Sequence, residues 1–126
     1  MILNNNKEML IFGFQEEEKE ILDKIIKKNE LPGYKIITES MGKMTLWDII
    51  RGLKMEVFNV KLPKEKVILF NNFSDAEVEK SISELKKFFK PMPIMAVITA
   101  TSIKWTFEYL LQHLMAEKSW YLKNGK

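Results

Sequence analysis

The strongest constraint on the fold is a repeated order of short apolar runs and amphipathic stretches. Met9-Leu10-Ile11-Phe12 is an apolar run ended by Gly13, and Val67-Ile68-Leu69-Phe70 is a second, followed by Asn71-Asn72-Phe73. Each is too short for a helix and is bounded by turn formers, the pattern of a buried strand. Behind the first, Ile21, Leu22, Ile25 and Ile26 recur at helical spacing over residues 15–29. Behind the second, Ser74 and Glu77 form a capping box that opens a helix with the apolar stripe Val78, Ile82, Leu85 and Phe89. Leu31-Pro32-Gly33 and Lys90-Pro91-Met92-Pro93 then turn the chain into further strands at 34–38 and 94–99. Both of these end in Thr and lead through a polar loop to a helix bearing a Trp. Thr45 is the expected cap of the Trp47 helix, and Trp105, Phe107, Leu110, Leu111 and Leu114 mark the final helix.

Side by side, Ile11-Phe12 matches Leu69-Phe70, Ile36-Ile37-Thr38 matches Val97-Ile98-Thr99, and Trp47 matches Trp105. A strand, a helix and a second strand of one sheet form a right-handed parallel crossover. The expectation is an α/β fold made of a duplicated β-α-β-α unit, with about four mainly parallel strands flanked by helices. The length of 126 residues suits a single domain, with internal repeats at about 8–54 and 66–118. Residues 55–65 read as a linker, or over 55–62 as an extra edge strand, and Pro63 suits either reading.

The chain has no cysteine, which excludes disulfide frameworks, thiolate metal sites and thiol nucleophiles. Met1-Ile2-Leu3 is too short an apolar start for a signal peptide, and no segment reaches the ~20 apolar residues of a membrane helix. A cytoplasmic location is the expectation. The net charge of +3 reflects a mixed surface. Glu16, Glu17, Glu18 and Glu20 open one helix and Lys24, Lys27 and Lys28 close it, as the helix dipole favours. With those helix ends set aside, no basic stripe interleaved with aromatics remains, so neither nucleic acid nor membrane is the expected partner.

Ligands of open parallel sheets bind beyond the strand carboxyl ends. The loops expected there supply the candidate ligand-binding residues Thr38, Glu39 and Ser40, Asn71 and Asn72, and Thr99, Thr101, Ser102 and Trp105. Thr101 and Ser102 at a helix start could hold an anion, but the simpler reading makes them helix caps. No catalytic, metal or cofactor residue is assigned. His113 is the sole histidine, Gly13 and Gly42 lack any phosphate-loop spacing, and Glu39 faces Ala100 in the other half, so a carboxylate pair lacks its second member. Trp120-Tyr121-Leu122 reads as an aromatic cluster beyond the last helix that packs back on the domain, with anchoring of a partner as the alternative.

From Ala96-Val97-Ile98-Thr99-Ala100-Thr101-Ser102-Ile103-Lys104-Trp105-Thr106 through Leu110 and Glu117, the chain resembles the bacterial family known as domain of unknown function 3783. Ile68-Leu69-Phe70 and Phe73-Ser74-Asp75 resemble the start of that domain, and the resemblance spans roughly residues 66–118. The Thr-x-Thr-x-x-x-Trp spacing is its most specific part. The family usually carries Asn where Ser102 stands, a change that a capping role tolerates. The resemblance implies a domain and no activity. The sequence therefore points to a non-catalytic binding or regulatory module for a small molecule or a protein partner. The alternatives are a small enzyme with its site in the strand-end loops, or a structural homodimer.

Overall fold

A computed structural model describes residues 7–53 and 61–123, with side chains through residue 118. The elements run β1 (Glu8–Phe12), α1 (Glu16–Asn29), β2 (Tyr34–Ile36), α2 (Leu46–Ile50), β3 (Val67–Asn71), α3 (Asp75–Leu85), β4 (Ile94–Val97) and α4 (Phe107–Lys123). Short 3-10 turns lie at Glu39–Met41 and Ser102–Lys104. The elements fall into two compact units, one reaching Ile37 and resuming over Lys64–Ile98, the other Thr38–Pro63 and the chain from Thr99.

The first unit holds a four-stranded sheet of order β2-β1-β3-β4. β1 and β2 are parallel, β3 and β4 are parallel, and the central pair β1/β3 is antiparallel. The sheet is therefore mixed, which corrects the mainly parallel expectation. Within each strand-helix-strand passage the two strands are parallel neighbours, as the crossover rule expects of their direction. It places no constraint on how β3 enters beside β1, because the stretch joining α2 to β3 is not such a crossover. The pairing sets Leu10 opposite Leu69, with Met9 opposite Phe70 and Ile11 opposite Ile68. Every residue of β1 from Met9 to Phe12 and of β3 from Val67 to Phe70 is buried, whichever face it points to.

On one face of the sheet Met9, Ile11, Ile68 and Phe70 form a core with Leu22 and Ile25 of α1 and with Leu85 and Phe89. Phe14 and Phe89 meet edge to face at 5.8 Å. The α3 stripe is rotated from its expected position, since Ser81 is buried while Ile82 is only half-buried. Ser81, Leu85 and Phe89 follow one another at steps of four along the inner face, and Ser81 Oγ is satisfied by donating to Glu77 O at 2.7 Å.

Both central strands end in a left-handed residue, Gly13 at φ 85° and Asn72 at φ 62°. A buried Phe follows each, Phe14 and Phe73, and then a capping box. Gln15 N donates to Glu18 Oε1 at 2.8 Å, and Ser74 N donates to Glu77 Oε1 at 2.7 Å. Each capping glutamate also pairs with a lysine from the other half of the chain: Lys66 with Glu18 at 3.0 Å and Lys7 with Glu77 at 3.2 Å.

In the second unit Leu46, Ile49 and Ile50 of α2 and Phe107, Leu110 and Leu111 of α4 are buried. Thr45 and Thr106 oppose one another in an antiparallel bridge. Leu46 N donates to Trp105 O at 3.0 Å and Phe107 N to Met44 O at 2.9 Å. This register overturns the Trp47–Trp105 match. Trp47 lies in the first turn of α2, whereas Trp105 precedes α4 in extended conformation, and both are half-buried. Leu53, expected within the second helix, lies beyond its end and is exposed. Trp120, Tyr121 and Leu122 continue α4 rather than follow it. Of the segment 55–62, only Lys61 and Leu62 are among the described residues, and neither is in a strand.

Candidate functional site

The mixed sheet decides where strand-end loops can meet. Because β1 and β3 are antiparallel, the loop after β1 and the loop after β3 leave opposite ends of the strands, and the carboxyl ends of all four strands cannot line one crevice. Asn71 and Asn72 belong to the first unit, while Thr38, Glu39, Ser40, Thr99, Thr101, Ser102 and Trp105 belong to the second. Asn71 is buried as the last residue of β3, opposite Glu8. Asn72 holds the left-handed turn, and its Nδ2 is buried without a hydrogen-bond partner among the described residues.

The Thr99–Ser102 turn is closed by its own hydroxyls. Thr99 N donates to Ser102 Oγ at 2.9 Å, Ser102 N donates to Thr99 Oγ1 at 3.0 Å, and Thr99 Oγ1 donates to Ser102 Oγ at 3.2 Å. Ser102 is buried, whereas Thr99 and Thr101 are exposed. Of the two hydroxyls expected to cap the final helix, that of Ser102 instead closes the turn before it, and Thr101, at the start of the 3-10 turn, makes no side-chain cap bond. Thr106 caps α4, its Oγ1 accepting from Tyr109 N at 3.1 Å, because extended Trp105 intervenes between turn and helix.

The corresponding turn in the first half is built alike. Thr38 N donates to Met41 Sδ at 3.3 Å, and the Thr38 and Ser40 hydroxyls bond at 3.0 Å. Thr45 Oγ1 accepts from Asp48 N at 3.1 Å, as the sequence led one to expect. Glu39 accepts from Leu62 N at 3.0 Å and so ties down the chain that returns toward β3. The candidate side chains of the second unit are thus largely engaged in closing turns.

What the second unit does present is an aromatic ladder at one end of α4. Trp105 meets Tyr109 edge to face at 4.8 Å and His113 at 5.3 Å, and His113 Nε2 lies 3.7 Å from Glu117. Tyr109 is 52% exposed and the His113 side chain 50%. Sequence reasoning took Trp105 and His113 one at a time and passed over Tyr109. The signal was the Tyr109–His113 spacing of four, which puts the two side chains on one face of α4, with Trp105 four residues ahead of Tyr109.

Among the described residues, no three His, Cys, Asp or Glu residues are grouped so as to hold a metal ion. Burial raises the Glu8 carboxyl above its ordinary range despite Lys35 at 3.7 Å. Burial and the neighbouring Asp23 raise the Tyr34 hydroxyl. No described helix is long and apolar enough to cross a membrane.

The architecture is an α/β fold with a mixed four-stranded sheet, and Tyr109 and His113 are exposed on α4 beside half-buried Trp105. Residues 66–121 match the family described as a domain of unknown function, DUF3783, a stretch that takes in β3, α3, β4 and most of α4. No curated protein and no solved structure matches the chain.

Proposed function

We propose that the chain is a non-catalytic binding module whose contact surface is the Trp105–Tyr109–His113 ladder, and that its preferred partner is another protein. The observation that carries this reading is half-buried Trp105, which packs just ahead of α4 against both Tyr109 and His113, two half-exposed side chains of the helix. Rigid amphipathic rings give large contact area at low entropic cost, which is why Trp and Tyr anchor protein interfaces. The candidate hydroxyls of Thr38, Ser40, Thr99 and Ser102, by contrast, are bonded within their own turns. The small-molecule and enzyme readings need polar groups free to meet a ligand.

The module is further proposed to be two copies of one β-α-β-α unit, in a bacterial cytoplasmic protein. The two-copy reading is supported by the paired left-handed residues Gly13 and Asn72, the paired capping boxes, the reciprocal lysine–glutamate pairs and the Thr45–Thr106 bridge. These correspondences run Thr38 to Thr99, Thr45 to Thr106 and Leu46 to Phe107.

The test compares the wild-type chain with Tyr109→Ser and His113→Ala on an affinity support, after thermal melts establish that the variants fold. A host protein retained by wild type and lost by both variants, then titrated in purified form, supports the reading. Equal retention by all three chains would place the contact elsewhere. A metabolite that raises the melting temperature of wild type and not of the variants would favour a small molecule instead.

A further inference from the structure

We propose that β4 is a self-association edge, through which two copies of the chain join by antiparallel β4–β4′ pairing into one continuous sheet. This inference stands apart from the aromatic ladder and concerns the opposite kind of surface, an open backbone. β4 lies at the end of the sheet order. Ile94 N donates to Lys66 O at 2.8 Å and Ile98 N to Phe70 O at 2.9 Å, so alternate residues of the strand face inward. Met95 and Val97 accordingly turn their N–H and C=O groups outward, away from β3. No bond of these groups to another described residue is seen.

Natural edges are usually blunted by charge, proline or bulges. β4 reads Ile-Met-Ala-Val and has none of these, and Val97 is 49% exposed. The other edge strand is guarded. β2 reads Tyr-Lys-Ile, and a symmetric antiparallel pairing of its outward residues Tyr34 and Ile36 would set Lys35 against Lys35 of a second copy, a destabilising like-charge pair. Ile11 with Ile36, and Phe70 with Val97, are matching register pairs at the ends of the two parallel ladders. The position before each is Lys35 on β2 and Ala96 on β4.

Self-pairing of β4 fits a single register. With Ala96 on the two-fold axis, Met95 and Val97 form hydrogen-bonded pairs with their counterparts, and Ala96 meets Ala96 in a non-hydrogen-bonded pair. Such a pair brings Cα atoms to about 4.5 Å, where a small side chain fits best. Ile94 then faces Ile98, so every opposing pair is apolar. Centring on Met95 instead would set Val97 against Pro93, which has no N–H to give. Centring on Val97 would set Met95 against Thr99, whose N–H is already donated to Ser102. Only the Ala96 register satisfies all the outward groups.

A five-residue pairing spans about 17 Å and buries less than the ~1,200 Å² of a stable complex. The dimer is therefore reversible and concentration-dependent. Its two-fold axis closes the assembly at two copies.

Sedimentation equilibrium of the full chain tests this. The weight-average mass should climb with concentration from 14.9 kDa toward twice that value and level off there. Ala96→Lys and Ala96→Glu should each weaken dimerisation by roughly tenfold or more through like-charge opposition on the axis. An equimolar mixture of the two should dimerise again, which only direct 96–96′ opposition explains. Val97→Lys, at an exposed position, provides a second disruption should the Ala96 variants fail to fold. A wild-type mass that stays at one copy up to about 1 mM, growth beyond two copies, or dimerisation indifferent to Ala96 and Val97 would overturn the proposal.

Discussion

Gly13→Ala is expected to be more damaging than the same change at Gly33 or Gly52. Gly13 sits at φ +85°, and a Cβ added there would stand 2.1 Å from Glu65 O and 3.0 Å from Glu65 C. The left-handed backbone costs a non-glycine residue about 1–2 kcal/mol. The clash adds to this, because the backbone leading into β3 must move to relieve it. Displacing well-packed neighbours costs about 1–3 kcal/mol more, so the total is about 2–5 kcal/mol, or roughly 8–19 °C in melting temperature for a chain of this size. Two other glycines separate the contributions. Gly52 has φ +80° with nothing within 4 Å of an added Cβ, so Gly52→Ala should show the backbone cost alone. Gly33 has neither feature, and Gly33→Ala should be neutral or slightly stabilising. Urea melts of the three variants, checked for unchanged m-values, provide the measurement. A Gly13→Ala loss no greater than that of Gly52→Ala would mean that the Glu65 carbonyl does not approach Gly13 as described.

Leu85→Ala should cost about 2–5 kcal/mol as a buried large-to-small change, while half-buried Ile82→Ala should cost clearly less and exposed Lys86→Ala almost nothing; equal losses at 82 and 85 in denaturant melts would refute the rotated stripe. Ser102→Ala should cost about 0.5–2 kcal/mol, because it strands the Thr99 N–H that the Ser102 hydroxyl now accepts; no change would mean the turn closes without that bond. The Glu77 carboxyl is lowered chiefly by the Ser74 N–H it accepts, against opposing burial and with help from Lys7. In Glu18 burial pushes upward, and the Gln15 N–H and Lys66 together outweigh it. Both groups therefore contribute stability that is present above the ordinary carboxylate value of 4.5 and lost as pH falls through their lower native values. Stability measured from pH 7 to 3 should fall less steeply in Glu18→Gln/Glu77→Gln than in wild type, and parallel curves would refute the assignment.

Elements were legible wherever one local rule decided them. The Ser74–Glu77 box needed only residues three apart, and α3 begins there. Thr45 before an apolar helix read as a cap and is one. Strand direction between the halves was not legible. Leu10 opposite Leu69 is a pairing of residues far apart in sequence, and either direction would bury the same side chains. The stripe on α3 misled for a related reason. Ile82 and Ser81 are neighbours on the helix, and hydropathy favours the isoleucine. What places Ser81 inside is a hydroxyl that satisfies itself against Glu77 O, which removes the usual cost of burying a polar group.

The site was less legible than the fold because its residues are ambiguous one at a time. A Thr or Ser after a strand can cap a helix, close a turn or wait for a ligand, and the three uses share one composition. Which holds depends on where the next helix starts. Trp105 looked like a first-turn residue because the apolar spacing of α4 can be extended back to it, yet its backbone is extended and its carbonyl accepts from Leu46 N. That single bond delays the helix to Phe107, frees Thr106 to cap it, and commits Thr99 and Ser102 to each other. It also sets Trp105 beside Tyr109 and His113. The loss of the hydroxyl site and the gain of the aromatic face thus have one cause, a backbone pairing between segments distant in the chain.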